Sequence, residues 1–197
     1  MMGFARAVSF FLGPVFVLFP ILFILVAKFS TDYSHALKWT MFTYAFVLAI
    51  ALFVVAGVIL GFFSNFNVSK KEQRPLLFSF IAFAMFCYFV SIFIFNAPKI
   101  LFIAFFAIVL CLIVMIIVNR WIKASIHLAI FTGAVIFILV VYGGYSFLLL
   151  TLIPLLAWAR IKMGEHSLQE TIVGTILGIV ITLIVYVASR QFFLGVI

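Results

Sequence analysis

Acidic residues are nearly missing from this chain. Asp32, Glu72, Glu165 and Glu170 are the only four carboxylates in 197 residues, and charged side chains make up just 8% of the sequence. No Asp-x-x-x-Asp pair exists to hold magnesium on a diphosphate, and four scattered acids argue against a two-metal hydrolase. Cysteine is almost as scarce. Cys87 and Cys111 lie inside apolar runs and far from any CxxC pattern, so neither a disulfide nor a zinc site is supported. A Gly-x-Ser-x-Gly nucleophile elbow is absent. Internal repeats and low-complexity segments are absent too.

What the chain has is apolar surface. It is 69% hydrophobic and 19% aromatic, with 28 Phe and a mean hydropathy of +1.49. No soluble domain of this length has interior enough for that surface. The composition specifies an all-α, polytopic transmembrane helix bundle, a single integral membrane domain over residues 1–197. Net charge is +8. Most of the charges fall between apolar runs, which points to the lipid bilayer and to a phosphorylated substrate and away from nucleic acid. Arg6 precedes an apolar run with no small-residue cleavage site, so that run reads as a retained first span.

About six or seven hydrophobic segments approach the roughly 20 residues needed to cross the hydrocarbon core. They run from about Val8 to Phe29, Leu37 to Phe63, Leu76 to Phe95, Ile100 to Val118, Ile126 to Val141, Tyr145 to Ala159 and Glu170 to Ala188. Pro14 and Pro20 are expected to bend the first. Asn96-Ala97-Pro98 reads as a tight turn. Gly174 and Gly178 have the small-xxx-small spacing that favours close helix packing. With seven spans, the three basic links after the second, fourth and sixth all fall on one membrane face. Lys70, Lys71 and Arg74 are then expected to meet Arg120, Lys123, Ser125, His127, Arg160 and His166 there. A phosphate carries about two charges and favours several strong donors, so such a surface suits a lipid phosphate.

The densest polar stretch is Arg160 to Glu170, Arg-Ile-Lys-Met-Gly-Glu-His-Ser-Leu-Gln-Glu. If a helix starts near His166, then Glu170 lies one turn along the same face and is placed to orient the imidazole. Lys70 and Arg74 are also one turn apart, although Pro75 biases Arg74 away from helical geometry. Ser125 suits a helix N-cap, and backbone N–H groups at that start suit an anion. Plainer roles fit other polar residues. Arg6, Arg120 and Lys162 read as headgroup anchors, Trp121 and Trp158 as interface anchors, and His35 as incidental.

Three stretches together resemble the type-2 phosphatidic acid phosphatase superfamily, which includes the lipid phosphate phosphatases. That family's third signature is Ser-Arg, five residues, His, three residues, Asp. Here Ala159-Arg160, His166 and Glu170 keep the spacing, with Ala for Ser and Glu for Asp. The second signature, Pro-Ser-Gly-His, reads Ala124-Ser125-Ile126-His127. The first, Lys, six residues, Arg-Pro, keeps Arg74-Pro75, but Asn67 takes the Lys position and Lys70 and Lys71 lie closer. The resemblance covers about Asn67 to Gly178, within a core of about residues 67–188.

The resemblance implies a metal-independent phosphatase without a cofactor, acting on a membrane lipid phosphate or polyprenyl diphosphate. It implies His166 as nucleophile, Glu170 as the residue that orients it, and His127 as the acid and base. Arg74, Ser125 and Arg160, with Lys70 or Lys71, would hold the phosphate oxygens, and Lys123 would compensate for the altered first signature. It further implies an extracytoplasmic site at the cell membrane, whereas the larger number of Lys and Arg on the motif face points to the cytoplasm. The altered signatures leave two alternatives: an inactive relative that binds anionic lipid, and a lipid phosphotransferase.

Overall fold

The computed structural model describes residues 1–30, 32–64 and 71–192, without the side chains of Val15, Lys71, Arg74 and Phe192. The protein is all-α, with no strand among the described residues. Its helices are α1 (Met2–Phe11), α2 (Pro14–Lys28), α3 (Tyr33–Ile59), α4 (Arg74–Ile94), α5 (Lys99–Val118), α6 (Ile126–Tyr142), α7 (Leu152–Lys162) and α8 (Leu168–Phe192). Short 3-10 segments occupy Lys71–Gln73 and Gly144–Thr151. Hydrocarbon offers the backbone no hydrogen-bond partners, and a helix satisfies its own.

Among the described residues, six stretches are long and apolar enough to cross a membrane: Met2–Lys28, Tyr33–Ile59, Pro75–Ile94, Lys99–Val118, Gly144–Lys162 and Leu168–Gln191. The 17-residue α6 is a shorter apolar helix. Large apolar side chains such as Phe83, Phe86, Ile116 and Ile184 are more than half exposed. Water penalises that exposure and lipid does not. The chain is a multi-pass membrane protein.

Two expected segments differ in form. The first apolar run is not one bent helix. It breaks at Leu12-Gly13, and Pro14 opens α2, a position where its missing N–H costs nothing. The sixth does not run as one α-helix from Tyr145. Its first part is the 3-10 stretch, entered through Gly143 and Gly144 at φ +58° and +50°, which favour glycine. Arg74 also departs from expectation. It takes helical geometry as the first residue of α4, with Pro75 in the first turn.

The contacts divide the chain into two compact units, Met1–Leu25 with Ile103–Ile197, and Val26–Phe102. In the first, α6 and α8 make the most extensive helix pairing. A methyl added at Gly174 would meet the Ser125 carbonyl oxygen at 2.5 Å, and one at Gly178 the Ala129 oxygen at 2.5 Å. The expected close approach at these two glycines is therefore present, and it is backbone against side-chain-free backbone. Thr182 Oγ1 donates to the Gly133 carbonyl across the same contact at 3.2 Å. Met115, Ala124 and Ala129 pack with Val173 and Leu177 beside it. On another side α1 packs along α7, burying Ala5, Val8 and Ala159 against Leu12, Leu155 and Met163.

In the second unit α3 packs on α4. Phe53 stacks on Phe80 with centroids 3.8 Å apart, and the Thr43 and Tyr88 hydroxyls share a hydrogen bond of 3.1 Å. Gln73 Oε1 accepts from the Ser64 N–H and hydroxyl at 3.0 and 3.1 Å. The expected turn at Asn96 is present, with φ +52° at that residue.

Candidate active site

The site is built where α8 begins. Ser167 precedes the helix, and its hydroxyl accepts from the Glu170 N–H at 3.2 Å. Glu170 Oε2 accepts in return from the Ser167 N–H at 3.2 Å. This reciprocal pair is a capping box, which satisfies two backbone donors that the first turn cannot satisfy itself. The same Oε2 lies 2.9 Å from His166 Nδ1. A carboxylate only accepts, so Nδ1 carries a proton, and in the neutral ring Nε2 then holds the lone pair. One oxygen therefore closes the helix and fixes the ring. The expected one-turn relation between His166 and Glu170 is present, and the His166 side chain is 9% exposed.

Arg160 lies in the last turn of α7, where its charge opposes the helix dipole's negative end. It is buried. Its Nη1 donates to Ser9 Oγ at 3.0 Å, and its Nη2 stands 3.8 Å from Glu165 Oε2. Its Nε has no hydrogen-bond partner among the described residues. A glycine with φ +71°, Gly164, then turns the chain towards His166.

The link between α5 and α6 is fastened to this turn at two points. Lys123 Nζ donates to the Glu165 carbonyl at 3.2 Å, and the Ser125 N–H donates to the Glu170 carbonyl at 3.1 Å. That second bond engages the Ser125 N–H, which leaves the first N–H groups within α6 as the ones an anion at this helix start would meet. Ser125 holds the N-cap position of α6, but its side chain makes no cap bond. Ser125 Oγ is fully buried and has no partner among the described residues. His127 follows in the first turn of α6, and its charged or titratable neighbours are Arg160, His166 and Glu165.

The first unit thus gathers Lys123, Ser125, His127, Arg160, His166 and Glu170. Lys71 and Arg74 belong to the other unit, and their side chains are outside the described residues, as is all of Lys70 and of Asn67. Among the described residues, no three His, Cys, Asp or Glu side chains gather as they would around a metal ion. Trp158, expected as an interface anchor, also packs a face: its ring centroid is 6.0 Å from that of Phe4 in α1.

Sequence reasoning missed three contributors. Ser167 was legible, because Ser-x-x-Glu ahead of an apolar run is a capping signal. Glu165 was noticed only as part of the charge cluster, not as a partner of Arg160. Ser9 gave no signal: it is a small polar residue inside an apolar run, 151 residues from Arg160.

Chemically, the arrangement offers one imidazole with a fixed tautomer, a second imidazole beside it, a buried guanidinium with a free Nε and a buried free hydroxyl. No family model matches the chain, and neither a curated protein nor a solved structure matches it.

Proposed function

We propose that the protein is a membrane phosphatase that hydrolyses a lipid phosphate, a long-chain phosphate or diphosphate monoester, through a phosphohistidine. The hydrogen bond of 2.9 Å between His166 Nδ1 and Glu170 Oε2 carries this reading, because it leaves Nε2 as the nucleophilic atom. The spacing of the three signatures supports it, as do the unpartnered Ser125 Oγ and Arg160 Nε, a hydroxyl and a cationic N–H suited to phosphate oxygens.

In the first step His166 Nε2 attacks phosphorus and the phosphorus–oxygen bond to the lipid breaks. Burial and the Arg160 charge lower the His127 pKa to about 4, so it takes up a proton when the anionic phosphate binds beside it and gives that proton to the leaving oxygen. In the second step water attacks the phosphohistidine, His127 takes the water's proton, and the phosphorus–nitrogen bond breaks to release phosphate. Arg160 and Ser125 stabilise the charge on the equatorial oxygens, where donors count most in the transition state. Lys123 is a further cation at the rim. Phosphatidic acid and polyprenyl diphosphates are the substrate classes to try first, and the site faces outward from the cell membrane.

The test is phosphate release by the purified protein in detergent across a lipid phosphate panel, with a metal chelator present. Turnover that persists under chelation is expected, together with an acid-labile, alkali-stable phosphoprotein intermediate. Loss of turnover on chelation would sink the metal-free mechanism. A cysteine in place of the exposed Trp121, labelled from outside intact cells by an impermeant reagent, is expected if the site faces outward.

A further inference from the structure

Helix α1 touches Arg160, and the break that follows it lies beside His127. Ser9, in the last turn of α1, accepts from Arg160 Nη1 at 3.0 Å and is itself buried. Gly13, at the break after α1, lies against His127. A methyl placed on it would stand 3.7 Å from His127 Cδ2, and only 2.9 Å from the carbonyl oxygens of Ser9 and Phe10. The α1 helix is held in this position by Ala5 and Val8 packing against Ala159, the residue immediately before Arg160. So the same helix packs against the backbone that carries Arg160 and against the side chain at its tip.

We infer that Ser9 is a positioning residue for phosphate binding: by accepting from Arg160 Nη1, it turns the guanidinium so that Nε faces the substrate phosphate. The inference rests on the phosphatase reading. Arg160 has three nitrogens. Nη1 is engaged by Ser9, Nη2 is near Glu165, and Nε is buried and has no partner among the described residues. Glu165 cannot fix the fork alone, because its contact is 3.8 Å and its side chain is 52% exposed. A planar fork held at one corner presents its remaining donors in a fixed direction, and a fork released there can rotate towards Glu165. Ser9 never touches the substrate in this scheme. Its effect passes entirely through Arg160.

The hydroxyl can be separated from the volume it fills. Ser9→Thr and Ser9→Val have nearly the same shape, and only the first keeps an acceptor. We would measure kcat, KM, inhibition by orthovanadate and the detergent melting temperature for the wild type, Ser9→Ala, Ser9→Thr and Ser9→Val. Orthovanadate mimics the pentacoordinate transition state, so its affinity reports the donors directly. Ser9→Ala and Ser9→Val are expected to lose about tenfold or more in kcat/KM, the size of one hydrogen bond to a charged group, with a parallel loss in vanadate affinity. Ser9→Thr is expected to recover most of both relative to Ser9→Val. In an Arg160→Ala background the Thr and Val variants are expected to be alike. A wild type that turns over lipid phosphate, with Thr and Val variants equal in vanadate affinity, would overturn the role of Ser9 alone. A wild type with neither turnover nor vanadate binding would overturn the phosphatase reading and the role of Ser9 with it.

Discussion

Two helices of this protein start with a histidine and a carboxylate close together, and they use them in opposite ways. At α3 the carboxylate comes first. Asp32 caps the helix, its Oδ1 accepting from the His35 backbone N–H at 2.7 Å. The His35 ring turns away and accepts at Nε2 from the Trp39 indole at 3.1 Å. At α8 the histidine comes first. Glu170 reaches back past the helix start and takes the ring nitrogen of His166 and the backbone N–H of Ser167 on the same oxygen. Residue types alone do not separate the two sites. Order along the chain does, because a carboxylate ahead of the histidine meets its backbone, while one a turn later meets its ring. In α3 the acceptor lone pair of Nε2 is consumed by Trp39. In α8 it is kept.

Substitutions can break this contrast. The largest effect is expected at His166→Ala, which removes the proposed nucleophile. Turnover should fall by about 10⁴-fold or more, as for nucleophiles elsewhere, and no phosphoprotein should form. Full turnover by this variant would assign the attack to another group. Next comes Glu170→Gln. The amide is uncharged and can donate to Nδ1, which would move the proton to Nε2 and silence it. A loss of about 10³-fold in kcat is expected, comparable to the cost of a wrong tautomer in other His-dependent enzymes. If kcat is unchanged, Glu170 serves the helix cap only.

The α3 side of the contrast should respond in stability and not in rate. Asp32→Ala removes a cap, and a melting temperature lower by about 2–4 °C is expected, with Asp32→Asn close to the wild type because Asn caps equally well. A rate loss at Asp32→Asn would mean that its charge matters to turnover. The smallest effect is expected at His35→Ala, with kcat/KM within about twofold of the wild type, as is usual for a residue outside the chemistry. A large drop there would make the two helix starts functional equals.

Much of this was legible in the sequence, for physical reasons that differ by feature. The spans were readable because a membrane imposes a length on every apolar run and charge marks the ends. The pairing of α6 with α8 was readable because Gly174 and Gly178 lie four residues apart on one helix face. The His166–Glu170 contact was readable from the four-residue spacing, although His166 lies just ahead of α8 and the carboxylate reaches back to it. The break at Leu12-Gly13 was legible only as a bend at Pro14, because the apolar run continues on both sides of it. The 3-10 form of Gly144–Thr151 was not legible, because eight residues is long for that geometry and no local residue pattern demands it. Ser9 lay beyond reach: its role depends on α1 packing along α7, a contact between the two ends of the sequence.

The shared oxygen of Glu170 has a consequence for how the protein is made. A histidine in an unfolded segment exchanges its proton freely between both ring nitrogens. His166 acquires a fixed tautomer only when the first turn of α8 forms and brings Glu170 within reach. Helix formation at this end and arming of the imidazole are therefore one event. While α8 is unformed the ring is an ordinary imidazole, so the fixed tautomer that the proposed attack needs appears only in the folded molecule.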